Sequence, residues 1–202
     1  MKSILEKDWF YSILSAVLCF LLSFPFLGTY FISPNTHMYV FGGDGLTLYY
    51  DIAYHICHGH GDRLTNMNYP YGEMVYLTDA QGAISTLLQW INRYLFDICD
   101  CAVGAVHLIN SILILICAVV IYYLLRAYNV NKLISVIFSV SITLLSPQMI
   151  RISGHFGLAY PFLIPLAMLW INRKWVNQKW EIRDFLFLLL LIFFTFNNPY
   201  IG

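Results

Sequence analysis

The chain has 202 residues, of which 59% are hydrophobic and only 11% charged, and its eleven basic and eleven acidic side chains cancel to a formal net charge of zero. Soluble domains carry roughly a quarter charged residues, so this composition places the chain in a lipid bilayer. The lack of a basic stripe argues against nucleic acid as a partner.

In chain order, a short mixed-charge start (Lys2, Glu6, Lys7, Asp8) leads into an apolar run from Trp9 to about Ile32. At 1.5 Å per residue this run crosses a hydrocarbon core of ~30 Å. It is too long for the apolar part of a signal peptide, and no small-x-small cleavage site precedes Ser33. The expectation is a retained transmembrane helix, kinked at Pro25. Ser33-Pro34-Asn35 stops it and opens the largest polar segment, a loop over residues 33–101. Within this loop Leu46 to His58 reads as a helix, because Leu48, Ile52 and Ile56 recur every four residues. Asn66 to Gly72 cannot be regular helix and is expected to be extended. Ile84, Leu87, Leu88, Ile91 and Leu95 then form an apolar stripe opposite Ser85, Gln89, Asn92 and Arg93, the pattern of a helix lying in a membrane interface.

Four further spans are expected: Ala102 to Leu125, Leu133 to Leu145, a short proline-interrupted one from Leu158 to Ile171, and one beginning with Phe185 to Phe196. The predicted fold is therefore all-α and polytopic, with about five transmembrane helices forming a single membrane domain over residues 1–202. The odd number of spans and the stop at Gly202 suggest the front part of a larger protein. Charge placement orients it. With the N-terminus inside, Lys2, Lys7, Arg126, Lys132, Arg173, Lys174, Lys179 and Arg183 are cytoplasmic and only Arg63, Arg93 and Arg151 lie outside, which satisfies the positive-inside tendency. The loop over 33–101 then faces away from the cytoplasm.

Five cysteines (19, 57, 99, 101 and 117) form no CxxC pair and no even framework. Cys19 and Cys117 fall in apolar runs, where a thiol is a small hydrophobe. Cys99 and Cys101 are too close to each other for an easy mutual disulfide and read as incidental.

Candidate chemistry centres on Phe41-Gly42-Gly43-Asp44-Gly45. Glycines flanking a carboxylate permit unusual backbone angles and close approach of a substrate, although the same tripeptide is ordinary turn chemistry. Asp51, His55 and His58, at i, i+4 and i+7, have a spacing suited to a metal or to acid–base work, and equally to the wet face of an amphipathic helix. Gln148, Arg151 and His155 gather in the outer connection after the third span, where Arg151 suits a phosphate by bidentate bonding or anchors to lipid headgroups. Glu73 and Asp79 either join Asp44 around a divalent ion or are plain loop charge. No cofactor is implied with certainty.

These features together resemble the GT-C superfamily of polytopic membrane glycosyltransferases. Gly43-Asp44-Gly45, Asn68-Tyr69-Pro70-Tyr71-Gly72-Glu73 and Arg151-x-x-Gly154-His155-Phe156-Gly157 look like stretches of its bacterial YfhO-like group. The resemblance implies transfer of a sugar from a polyprenyl-phosphate donor at the outer face of a bacterial inner membrane. Asp44 would be the general base or acceptor-orienting group, Arg151 a contact for the lipid phosphate and His155 a nearby polar partner. Membrane lipids and a lipid-linked donor are then the expected partners. The alternatives are a transporter or flippase-like protein, expected to show a broken helix or buried charge near mid-membrane, and a non-catalytic membrane subunit.

Overall fold

A computed structural model describes residues 7–38, 44–59, 63–64, 70–74, 82–147, 149, 162–176 and 180–196. It is predominantly helical: α1 Asp8–Ile32, α2 Asp44–His58, α3 Gly82–Tyr94, α4 Ala102–Ala127, α5 Lys132–Leu145, α6 Leu163–Val176 and α7 Ile182–Phe196, with a 3-10 turn at Cys99–Cys101 leading into α4. Between α2 and α3, two residues of β1 (Arg63–Leu64) pair antiparallel with two of β2 (Glu73–Met74), in the register Arg63 to Met74 and Leu64 to Glu73. Gly72, at φ 73°, supplies the left-handed residue just before β2. The ladder flanks the stretch Asn66 to Gly72, expected to be extended; of that stretch Pro70 and Tyr71 form a turn, and residues 66–69 lie outside the described residues.

Among the described residues, two helices are long and apolar enough to cross a membrane, Asp8–Ile32 and the continuous stretch Cys99–Ala127. The other expected spans are shorter: α5 and α6 have 14 residues each and α7 has 15, about 21–22 Å at the α-helical rise. α6 begins at Leu163 rather than Leu158. Pro165 thus falls in its first turn, where the missing N–H removes no helical bond.

The chain forms two compact units. One comprises α1 to Gly28, α4 from Ser111, α5, α6 and most of α7. The other comprises the chain from Thr29 through α2, the ladder and α3 to Asn110 in α4.

In the first unit α4 buries large apolar residues such as Ile114, Ile121 and Tyr122, while the buried faces of α1 and α5 are rich in small and polar residues beside Leu27, Val136 and Val140. α1 buries Ser12, Ser15, Cys19, Ser23 and Gly28, spaced three to five residues apart along one face. It exposes Ile13, Val17, Leu21, Leu22 and Phe26, the last at 80% against 0% for Cys19. α5 repeats the pattern, with Ser135, Ser139 and Thr143 buried and Leu133, Ile137, Phe138 and Leu145 exposed. The Ser139 hydroxyl lies 3.1 Å from that of Ser15, and Ser12 bonds Tyr123 of α4 at 3.2 Å. Water would drive the opposite arrangement. Small residues that let backbones approach, with large apolar side chains outward, are the packing of helices surrounded by lipid.

Polar groups close the ends of this unit. Asp8 accepts hydrogen bonds from the Tyr122 hydroxyl and Arg126 Nε, both at 2.9 Å, with Lys132 4.0 Å away. Asn131 N-caps α5, its Oδ1 accepting from Leu133 N at 3.0 Å. At the start of α7, Asp184 accepts from Glu181 N at 2.7 Å, half of a capping box. It also pairs with Lys174, while Arg173 pairs with Glu181 at 3.1 Å.

Candidate functional site

The second unit is built on α2. Its apolar repeat behaves as the periodicity predicts: Leu48, Ile52 and Ile56 are all at most 1% exposed. The helix starts two residues earlier than expected, however, so Asp44 is its first residue rather than part of a preceding loop. A carboxylate at that position is favoured by the helix dipole and the unpaired N–H groups of the first turn.

The face carrying Asp51, His55 and His58 is not uniformly wet. Asp51 (8% exposed) and His55 (0%) are buried, whereas His58 is exposed. Its ring leans on Tyr54, centroids 5.0 Å apart. Among the described residues no three His, Cys, Asp or Glu side chains gather to hold a metal ion, so this trio does not form a metal centre. α3 is likewise mixed. Ser85 and Gln89, expected on the wet face, are buried together with Ile84 and Leu88 of the apolar stripe, while Leu87 and Leu95 of that stripe are exposed, as are Trp90 and Tyr94. For Gln89 the physical reason is a backbone partner just past the end of α2. Gln89 Nε2 donates to the carbonyl of Gly59, which follows α2, and the His55 ring packs so closely over Gly59 that a Cβ there would collide with it.

A disulfide joins Cys57, in the last turn of α2, to Cys99, in the 3-10 turn before α4, with Cα atoms 5.3 Å apart, a normal span for such a bond. Cys99 is therefore not incidental. Nearby, Asn92 Oδ1 accepts from the backbone N–H of Ile98 at 2.8 Å, fixing the chain between α3 and that turn.

Polar links also tie α2 and the end of α1 to α4. His107 Nδ1 lies 2.6 Å from the carbonyl oxygen of Pro34 and Nε2 lies 2.5 Å from the Tyr49 hydroxyl. A carbonyl can only accept, so Nδ1 carries the proton and, in the neutral ring, Nε2 receives the Tyr49 O–H. Tyr30 packs on the same imidazole, centroids 4.9 Å apart. Asn35 Oδ1 accepts from Gly104 N at 2.8 Å, satisfying an orphan donor in the first turn of α4 from 69 residues away. The stop signal Ser33-Pro34-Asn35 thus doubles as the anchor of the second long helix.

Beside the N-terminal half of α2 lies a cavity of about 590 Å³, lined mainly by apolar atoms of Met38, Leu46, Tyr49, Tyr50, Ala53 and Val103. Its lining begins two residues beyond Asp44. This volume is within the range of small-molecule sites, and its lining suits an aliphatic chain rather than a polar solute.

Of the predicted site residues, Asp44 heads α2 and Glu73 lies in β2, paired with Leu64. Asp79, Gln148, Arg151 and His155 lie outside the described residues. Tyr49, Asn35 and the Cys57–Cys99 pair are the features that sequence reasoning missed. Only the cysteines carried a signal, as a cluster of three between the two long helices.

Residues 13–202 match the family described as Domain of unknown function (DUF6311), and the chain belongs to that family. No curated protein and no solved structure matches it.

Proposed function

We propose that this DUF6311 member is a multi-pass inner-membrane glycosyltransferase that takes a sugar from a polyprenyl-phosphate donor at the outer face, with Asp44 as the base. The observation that carries this reading is the position of Asp44 at the head of α2, the helix that walls a mainly apolar cavity of about 590 Å³. A helix that begins with an acidic residue and also walls room for a hydrocarbon chain suits a lipid-linked substrate. The outward-facing apolar side chains of α1, α3 and α5 support a bilayer surround.

Orientation with the N-terminus in the cytoplasm draws on two independent arguments. Basic residues favour that side eight to three in the sequence, and the Cys57–Cys99 disulfide is suited to an oxidising compartment. Both favour an arrangement with α2 and α3 outside.

In the proposed reaction the acceptor hydroxyl gives its proton to the Asp44 carboxylate as its oxygen bonds to the anomeric carbon. The bond from that carbon to the phosphate oxygen breaks, and the phosphate leaves on its lipid. Arg151 neutralises the leaving charge, with His155, Gln148, Glu73 and Asp79 as further substrate contacts. The transporter alternative expects a helix broken at mid-membrane; Pro165 falls in the first turn of α6, where it breaks nothing, and Pro161 lies outside the described residues.

The test is Asp44→Asn assayed for sugar transfer in membranes, with insertion and disulfide formation as controls. Loss of a positioned base lowers rates by about 10²–10⁴-fold. Undiminished transfer by the variant overturns the role of Asp44.

A further inference from the structure

A second cavity, of about 390 Å³, lies at the other end of α2, where its last turn meets α3 beside the disulfide. Its character is opposite to that of the first, because polar atoms dominate its lining. Cys57, His58 and Gly59 form one wall and Gln89, Asn92 and Arg93 the other. Some of these groups are already committed. Gln89 Nε2 holds the Gly59 carbonyl, and Asn92 Oδ1 holds Ile98 N.

What remains is a set of donors. The Asn92 side-chain NH2 has no partner among the described residues. The Arg93 guanidinium lies over the Tyr94 ring, 5.6 Å from its centroid, a contact that leaves its N–H edges open, and it pairs with no carboxylate among the described residues. His58 contributes an exposed imidazole whose recorded neighbour is the face of Tyr54. Among the described residues no acidic side chain lines the cavity. The walls are also held in place before any ligand arrives, by the Cys57–Cys99 bond on α2 and by the Gln89 and Asn92 hydrogen bonds on α3. Such pre-organisation removes part of the ordering cost of binding.

We infer that the cleft between the last turn of α2 and α3 binds a phosphate-type oxyanion through Arg93, Asn92 and His58. A phosphate group sets its oxygens tetrahedrally, so that donors from side chains on two helices can approach it from different directions, whereas a carboxylate offers two oxygens in one plane. A guanidinium can take two phosphate oxygens in parallel. The group could belong to a lipid headgroup or to a soluble phosphate compound. Trp90, Tyr94 and Leu95, exposed on α3 beside Arg93, would set the cleft at headgroup level if α3 lies in the interface. This site is some fourteen helical residues from Asp44, about 21 Å along α2, and does not rest on the transfer reading.

The experiment uses the full chain, purified in neutral detergent for one arm and placed in nanodiscs for the other. Inorganic phosphate and pyrophosphate are titrated by calorimetry in the first. Retention of phosphatidylglycerol over phosphatidylcholine is measured by native mass spectrometry in the second. The expected result is binding in at least one arm that weakens tenfold or more in Arg93→Ala and is only partly restored in Arg93→Lys. A response to the soluble anions identifies a free phosphate ligand, and a response confined to phosphatidylglycerol identifies a headgroup. His58→Ala is a second variant, expected to weaken the same arm. Melting temperature and disulfide content confirm that the variants are folded. No binding in either arm, or parent-like binding by Arg93→Ala, overturns the proposal.

Discussion

The Tyr49 hydroxyl of α2 and His107 Nε2 of α4, 58 positions apart in sequence, are 2.5 Å from one another. Both residues are buried, at 3% and 0% exposure. Tyr49→Phe leaves a ring nitrogen without its donor in a site closed to water, which costs about 1–3 kcal/mol. His107→Leu removes the bonds to both Tyr49 and Pro34 and should cost more. Thermal melts in detergent check this. A double-mutant cycle should show the two changes coupled by about 0.5–3 kcal/mol, as expected for direct contact. Strict additivity would mean that the bond contributes nothing.

The disulfide makes a second prediction. Cys57 and Cys99 are separated by 42 positions, and closing a loop of that length stabilises by about 4 kcal/mol in the chain-entropy account. Cys57→Ser, Cys99→Ser and the double variant should lower the melting temperature equally, since each removes the same bond. The parent should migrate faster on a non-reducing gel than after reduction, and none of the three variants should show that difference. Cys101→Ser should leave the shift intact.

What the sequence disclosed and what it concealed divide along a physical line. The Leu48, Ile52 and Ile56 repeat was legible, because burial of every fourth apolar residue follows from helix geometry whatever lies outside. The burial of Asp51, His55, Ser85 and Gln89 was not, because sequence reading assumes that polar faces seek water, and here they are buried, Gln89 on the backbone carbonyl of Gly59. The Cys57–Cys99 pairing was equally hidden, since three cysteines between the long helices allow three pairings and spacing does not choose among them. The Asn35 contact with Gly104 spans 69 residues and leaves no local trace. Asp44 was found as a carboxylate among glycines, but its place at the start of a helix depended on where α2 begins, the least legible property of any element.

Gly104 tests that long-range cap. A Cβ at this position would run into the Asn35 side chain that caps α4, so Gly104→Ala should destabilise although alanine is the better helix former. Overpacking of this kind costs about 1–3 kcal/mol. Asn35→Ala should lose the cap alone, about 1 kcal/mol. In the Asn35→Ala background, Gly104→Ala should become far milder, because the colliding amide is gone. Melts of the four proteins decide it, and an equal penalty in both backgrounds would rule out the steric account.

The connection between α6 and α7 makes a prediction about pH. Asp184, which precedes the apolar run beginning at Phe185, is 1% exposed. Burial acts to raise its pKa, but the hydrogen bonds from Lys174 and Glu181 N–H and the Lys174 charge outweigh it, and the pKa falls below the ordinary 3.8. A carboxyl whose pKa is lower folded than unfolded contributes stability that is fully present above its unfolded value. That contribution is lost as pH falls through the folded one. Asp184→Asn should therefore melt below the parent at pH 7 by a margin that stays constant down to about pH 5 and closes progressively below pH 4. Lys174→Met should behave worse at neutral pH than Asp184→Asn, because it leaves a buried carboxylate unpaired, and should recover toward the parent as acid neutralises that charge. A margin for Asp184→Asn that widens on acidification would show the pair to be stabilising in the opposite protonation state.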